Sequence, residues 1–390
     1  MEKCRVIPSL NVKKLLAKLS ILIISVTFAL LAAEGVLRIS GMWVGRHSDT
    51  MFTLMEFDPV LGWKMKPNVE EKVSFVDVEN IPVHANSLGF WDREFKLEKD
   101  PLKTRIAFLG DSFTWGLGVT ETERFSDVLA SENSNFESQN FAIPGFGTDQ
   151  SLLTWRNVAS KYHPDVVVLT VYSNDYADNM FVVRSGLRKP YFEWHENSQL
   201  QLHDMAGNSS NFWTNGIFNE PAPPYASLFG PPEKRSRVLH WLVKHSDLAR
   251  LGYTFLRHSK DSESSVEPTA SAETKTTRVP AKSLSELGPT QKAQVQLLDV
   301  LVKQLSAEVT STGAKFVVIL AGEPNRNFDV QRSGLESERI KYLDATTDTL
   351  ASKLPGDKDL YFPYNKHWTA AGHKAVADML NSYLAVKTTK

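Results

Sequence analysis

Cysteine is almost missing from the chain: Cys4 is the only one in 390 residues, and it precedes the first apolar run. The folded part can therefore contain no internal disulfide and no thiolate cluster for zinc. That fits an oxidising compartment without requiring one. An excess of charge of either sign is lacking too, with 44 Lys and Arg against 45 Asp and Glu and a net charge of −1. Electrostatics thus give no reason to expect a nucleic-acid partner. No internal repeat is visible. A composition of 42% hydrophobic and 23% charged residues excludes a disordered protein, and the length allows one large core or two small ones.

Long apolar runs are scarce outside the N-terminal region. Residues 19–33 (LSILIISVTFALLAA) carry no charge and follow Lys3, Arg5, Lys13, Lys14 and Lys18, the pattern of an export signal. As a helix this stretch would rise only about 22 Å, short of a hydrocarbon core of about 30 Å. The helical pattern continues through Gly35, Val36 and Leu37, with Glu34 and Arg38 spaced for an i,i+4 pair. We therefore expect an uncleaved single-pass anchor, contacting the membrane through residues 15–38, ahead of a cleaved signal peptide that would release the protein. The basic residues before the span would keep the N-terminus cytoplasmic and everything after residue 40 outside.

Residues 41–103 read as an N-terminal extension of irregular structure and short strands, laid over a domain, with DPVLGWKMKPN at 58–68 and NSLGFWDREF at 86–95. From residue 104, short apolar runs alternate with helical patterns. Strands are expected at 105–109, 137–143, 166–172 and 316–320, and helices at 123–131, 148–162, 291–312, 337–353 and 370–384. This alternation predicts a parallel sheet covered on both faces, with sites at the carboxyl ends of the strands. Residues 181–258 are rich in aromatics and proline and read as an inserted cap. Residues 259–290 are poor in apolar groups and read as a disordered loop.

Four segments carry candidate chemistry. FLGDSFTWGLGV at 108–119 places Ser112 just past the first strand, where a serine can be a nucleophile or merely a helix cap. NFAIPGFGTDQ at 140–150 offers Gly145, whose backbone N–H could approach a ligand unobstructed. VYSNDYADN at 171–179 offers the Asn174 amide, although an Asn after a strand is more often a turn former. YFPYNKHWTAAGHKAVADML at 361–380 places His367 in a loop before the last helix. Each alone is ordinary; together they fall in order on one edge of one expected sheet.

These four segments resemble the blocks that define the SGNH (GDSL-like) hydrolase superfamily, with Ser112, Gly145, Asn174 and His367 in the positions of its serine, glycine, asparagine and histidine. The EGVLR end of the anchor, the LGW and NSLGF segments and the HWTAAGH ending resemble membrane-anchored bacterial members. The resemblance covers residues 15–180 and 290–385 and leaves 181–290 without support. It implies a three-layer α/β/α, flavodoxin-like sandwich over residues 104–390, and a serine esterase that needs no cofactor or metal. His367 would act as base for Ser112, and the Ser112 and Gly145 N–H groups with the Asn174 side chain would form the oxyanion hole. Asp111 and Asp175 would support the loops by accepting backbone N–H groups. His373 is expected to pack at the start of the last helix rather than bind metal. Trp115 and Trp368 could line the pocket or fill core, and Trp155 reads as core.

One departure stands out. Where the superfamily has an aspartate two or three residues before the histidine, this chain has Asn365 and Tyr364. Asn365 is expected to orient His367 through its amide oxygen, ahead of a dyad with no side-chain partner, in which a backbone carbonyl could serve, and of a carboxylate relocated from Asp357 or Asp359. The expected substrate is an acyl ester of saccharide type, in the cell envelope (periplasm) or on an exported polysaccharide, with lipid or small acyl esters next, hydrolysed or transferred. The alternative is a catalytically weak or silent module that binds glycan or assembly partners through the cap.

Overall fold

The computed structural model describes residues 12–39, 54–75, 77–195, 199–205, 217–229, 232–234, 242, 246, 248–249, 283–353, 359–363 and 365–385. The chain forms two compact units, residues 1–46 with 236–267, and residues 47–235 with 268–390.

In the first unit, α1 (Val12–Ile39) is a single long helix. Its apolar window, Lys18–Ile39, has 22 residues and a mean hydropathy of 2.2. The helix runs past the uncharged stretch, so the apolar length rises to about 33 Å, enough for a bilayer core. Ile24, Phe28 and Leu31 are each more than 60% exposed, so the helix hides no apolar stripe in protein. Both a membrane span and a signal sequence have this length and composition. Arg38 pairs with Glu34 at 2.7 Å, as the i,i+4 spacing predicts. The other Glu34 oxygen accepts from Ser246 Oγ and Leu248 N, each at 2.9 Å, so part of the expected cap region belongs to this unit.

The second unit begins with two hairpins, β1 (Met55–Asp58) with β2 (Gly62–Met65) and β3 (Glu70–Phe75) with β4 (Val78–His84). Then come β5 (Thr104–Leu109), α2 (Ser112–Trp115), α3 (Phe125–Glu132), β6 (Phe136–Asn140), α4 (Thr148–Asn157), β7 (Val166–Tyr172) and α5 (Asp175–Asp178). The insertion contributes β8 (Phe181–Arg184), β9 (Leu187–Arg188), β10 (Tyr191–Trp194), β11 (Leu200–His203), β12 (Ile217–Pro221) and β13 (Glu233–Lys234). These form a small sheet in the order β13-β12-β8-β9 and a separate β10-β11 hairpin. The chain continues with α6 (Pro289–Ser311), β14 (Lys315–Gly322), α7 (Arg326–Ser337), β15 (Lys341–Thr346), α8 (Thr347–Lys353) and α9 (Ala370–Ala385).

The central sheet is entirely parallel, in the order β15-β14-β7-β5-β6. Alternate residues feed two cores. Ala107, Leu109, Val167, Leu169, Val318 and Leu320 face one core with Leu152 of α4 and Leu298 and Leu301 of α6. Ile106, Phe108, Val166, Val168, Val317 and Ile319 face the other with Phe125 and Leu129 of α3 and Val376 and Leu380 of α9. Burial on both faces explains why these strands read as continuous apolar runs. The result is a three-layer α/β/α sandwich.

Two expectations are revised. Residues 337–353, expected as one helix, hold the end of α7, the whole of β15 and then α8. The local pattern fits a helix, but six residues of β15 pair in register with β14, and tertiary pairing overrides local period. Of the expected disordered loop, residues 259–282 lie outside the described residues, whereas 283–290 form a short 3₁₀ turn at Leu284–Glu286 and the start of α6.

Candidate active site

The strand order decides what can meet. β5 lies between β6 and β7, so the loop bearing Ser112 is flanked by the loops bearing Gly145 and Asn174. β5 ends at Leu109, and the chain turns at once. Gly110 has φ +149°, and a Cβ there would come within 2.6 Å of Thr114 Oγ1, so this turn requires glycine. Asp111 caps the short α2 by accepting Phe113 N–H at 2.9 Å. Gly145 has φ +80°, and a Cβ there would meet only Trp63 at 3.5 Å; the backbone conformation, more than space, selects glycine.

His367 arrives from the far end of the chain. A turn closed by the Tyr361–Trp368 bridge carries it. Phe362 N donates to His367 O at 2.8 Å, and Lys366 takes the left-handed conformation at φ +61°. Ser112 Oγ and His367 Nε2 are 2.7 Å apart. On the other side of the ring, Nδ1 lies 3.0 Å from the backbone oxygen of Asn365. A carbonyl can only accept, so Nδ1 carries the proton, and Nε2 is left with a lone pair facing the serine hydroxyl. The amide oxygen of Asn365 instead accepts His367 N–H at 2.8 Å. Asn365 thus contacts the imidazole through its main chain, where the sequence suggested its side chain. Asp357 and Tyr364 lie outside the described residues. Asp359 is tied in through its backbone carbonyl, which accepts Thr369 Oγ1.

The ring is gripped from one side by a stack: Tyr172 on Phe113 at 4.2 Å and Phe113 on His367 at 4.5 Å. Trp368 meets Phe113 edge-on. Removal from water lowers the His367 pKa to about 4, and the Asn365 carbonyl only partly opposes this. The imidazole is therefore neutral at pH 7.

Asn174 Nδ2 donates to Asp178 Oδ2 at 2.8 Å, and Asp178 pairs with Arg184 at 2.6 Å. This fixes which end of the amide is the donor, and its second N–H has no partner among the described residues. Asp175 accepts the Thr148 hydroxyl at 3.0 Å, so it ties the loop to α4 through a side chain and not through the backbone N–H that was expected. Burial, then the nearby Asp111 and Asp178, raise its pKa well above the ordinary value. Burial likewise pushes Asp111 up to about 7. Trp115, Trp155 and Trp368 are all buried. His373 is buried as well, and its Nδ1 accepts Phe125 N–H at 3.3 Å.

Several contributors were not singled out from sequence. Trp63 Nε1 donates to Pro144 O at 3.1 Å, bracing the turn before Gly145. Asp92 accepts Asn140 N–H at 2.7 Å, and Trp91 packs on Trp115 at 4.4 Å. Asp77, from the link between β3 and β4, accepts Asn365 N–H at 2.8 Å. Trp63, Trp91 and Asp92 lie in the LGW and NSLGFWD segments and so had a signal; Asp77 had none. Asp92, Glu121 and Asp127 cluster closely enough to suggest a cation site, but Arg124 already provides the cation. Its Nε lies 2.9 Å from Asp127, and its NH2 lies 3.5 Å from Glu121.

Residues 106–216 match the model of the GDSL-like Lipase/Acylhydrolase family. No curated protein matches the chain. Similar solved structures include a G-D-S-L family protein from Desulfitobacterium hafniense (9% identity, TM-score 0.37, 72% of this chain and 99% of that one). A psychrotrophic esterase, EstA, from Pseudoalteromonas sp. has 11% identity and a TM-score of 0.37, covering 74% of this chain and 100% of its own. A lipase/acylhydrolase from Enterococcus faecalis has 10% identity and a TM-score of 0.35, covering 72% and 94%. The family match spans the serine, glycine and asparagine segments of the sheet edge that also receives His367, so this part of the chain is similar to the GDSL-like Lipase/Acylhydrolase family.

Proposed function

We propose that the protein is a serine esterase whose nucleophile is Ser112 and whose base is His367. The observation that carries this reading is the 2.7 Å approach of Ser112 Oγ to an imidazole nitrogen held as an acceptor. His367 Nε2 takes the hydroxyl proton as Oγ bonds to the ester carbonyl carbon. The tetrahedral oxyanion is held by the N–H groups of Ser112 and Gly145 and the free N–H of Asn174. As the C–O bond breaks, the imidazolium returns the proton to the departing alcohol. Water then repeats the sequence to release the acid, and a sugar hydroxyl in place of water would make the enzyme a transferase.

The N-terminal helix and the basic residues before it support a domain outside the cytoplasm, tethered to the membrane, or secreted if the helix is cleaved. There the accessible esters include acyl groups on envelope or exported polysaccharides, which we take as the substrate class. A second reading has one observation in its favour: Nδ1 of His367 meets a neutral carbonyl, so the imidazolium gains no partner charge. On that reading the fold binds its ligand and turns little over.

The test is p-nitrophenyl acetate hydrolysis by the full chain in detergent, beside Ser112→Ala, with fluorophosphonate labelling. Turnover and labelling that both vanish in Ser112→Ala are expected. Turnover equal in both proteins, with no label on Ser112, would leave the binding module as the better account.

A further inference from the structure

The connection between β3 and β4 reaches the histidine loop. Asp77 Oδ2 accepts the backbone N–H of Asn365 at 2.8 Å across a sequence separation of 288 residues. The two oxygens of Asn365 are both committed to His367: the side-chain Oδ1 takes His367 N–H at 2.8 Å and the carbonyl takes Nδ1 at 3.0 Å. Asn365 is thus pinned at its N–H by Asp77 and at its oxygens by His367. The loop is closed at its base by the Tyr361–Trp368 bridge and the bond from Thr369 N to Leu360 O, and at its tip by bonds between Phe362 and residues 366 and 367, with Lys366 left-handed; Asp77 adds a tie from outside the loop, at Asn365.

Taking the esterase reading above as given, we infer that Asp77 is a positioning residue for His367, acting at one remove through the backbone of Asn365. Without this acceptor, Asn365 keeps its two bonds to His367 but loses the tie between its N–H and the β3-β4 link. A modest rotation carries the carbonyl away from Nδ1 and releases the tautomer that points a lone pair at Ser112. The role is geometric. Burial and the Asn365 carbonyl set the basicity of the ring, with no contribution from Asp77. A neutral acceptor of the same shape should therefore serve nearly as well as the carboxylate. The histidine loop is thus braced from the N-terminal extension, at the peptide N–H of Asn365 and not at the imidazole itself. On this reading the β3-β4 hairpin is a working part of the site.

The experiment compares the full chain with Asp77→Ala and Asp77→Asn in detergent. For p-nitrophenyl acetate we expect kcat to fall about tenfold or more in Asp77→Ala, with KM within about twofold, and to return to within about threefold of wild type in Asp77→Asn. In parallel, ¹⁵N-histidine NMR should show one His367 tautomer, protonated at Nδ1, in wild type and Asp77→Asn, and a mixture in Asp77→Ala. Wild-type kcat and an unchanged His367 spectrum in Asp77→Ala would overturn the inference; so would an equal loss in Asp77→Asn, which would show that charge is what matters. If Asp77→Ala does not fold, Asp77→Glu displaces the acceptor by one methylene and is read the same way. A wild type with no Ser112-dependent turnover sinks the esterase reading, while the tautomer comparison still decides the role of Asp77.

Discussion

The Nδ1 of His367 faces the backbone carbonyl of Asn365 at 3.0 Å, so the imidazole is oriented by a neutral dipole and not by a carboxylate. Orientation and charge are separable contributions. The carbonyl fixes the tautomer and the ring plane, which keeps Nε2 aimed at Ser112. On the esterase reading it would do little for the imidazolium formed as the serine loses its proton. In Ser-His-Asp triads, losing the charge together with the correct tautomer lowers turnover about 10⁴-fold. Here the tautomer is retained, so the loss should be smaller.

The low basicity of His367 gives a pH signature. With a folded pKa of about 4 against an ordinary 6.5, the ring is in its base form above about pH 5. The acid limb of kcat/KM should therefore lie near pH 4, with a plateau through pH 8. Asn365→Asp should move that limb upward, because a carboxylate bonded to His367 N–H sits close to the ring. The gain in turnover should stay within about tenfold, since Nδ1 keeps its carbonyl partner. A wild-type acid limb at pH 6 to 7 would contradict this description of the site.

Part of this site was legible in the sequence because Ser112 and Asn174 follow continuous apolar runs that stop abruptly. Gly145 follows the polar strand FESQN, where only the Gly-rich turn gave a signal, and β-strand adjacency does the rest. The partner of His367 was not legible. Sequence shows side chains, and the group that meets Nδ1 is a main-chain oxygen whose direction depends on a left-handed Lys366. Asp77 was hidden for a different reason: it is one acid in a charged, alternating stretch, and only the pairing of β3 with β4 brings it to residue 365. β15 was missed because its tyrosine, leucine and alanine also fit a helix face, and the strand exists through its ladder with β14.

Asn174 supplies the next prediction. Its amide is clamped by Asp178, so the second N–H has a fixed direction and needs no reorganisation during the reaction. Asn174→Ala should cut kcat about 10²- to 10³-fold with little change in KM, the usual effect of losing one oxyanion donor. A fall of less than threefold would remove Asn174 from the oxyanion hole.

The insertion is fastened to the core by a buried ion pair. Lys189, after β9, donates to Asp149 Oδ2 at 2.5 Å and to Asp178 O at 2.8 Å. Both side chains are at most 1% exposed. Lys189→Met should cost about 3 to 5 kcal/mol in urea unfolding, because Asp149 is left buried and unpaired. Adding Asp149→Asn should recover more than half of that. Lack of recovery would mean that packing of the lysine stem, and not the stranded charge, sets the cost.

His373 yields a prediction about stability and pH. Its Nδ1 must stay unprotonated to accept Phe125 N–H, and its ring lies parallel to Phe125 at 6.0 Å with Trp368 at its edge. Burial, then Arg124 and His367, lower its pKa to about 3 from 6.5. Between those values the unfolded chain binds a proton that the folded one refuses. Stability from this group is therefore full above pH 6.5 and is lost as the pH falls towards 3. His367 acts in the same direction down to about pH 4. Asp92 and Asp111, each raised from 3.8 to about 7, act the other way, as do Asp149, Asp175 and Asp299, which burial also raises, since the folded state keeps protons that the unfolded state has released. The wild-type slope mixes all of these, but the difference from His373→Gln, which keeps an acceptor for Phe125, isolates one. From pH 7 to pH 4 the wild-type Tm should fall by several degrees more than that of His373→Gln, about 1 kcal/mol or more of differential stability per pKa unit crossed. Parallel melting curves across that range would show that residue 373 takes up its proton without opening the core, and that the α3-α9 face is looser than its packing indicates.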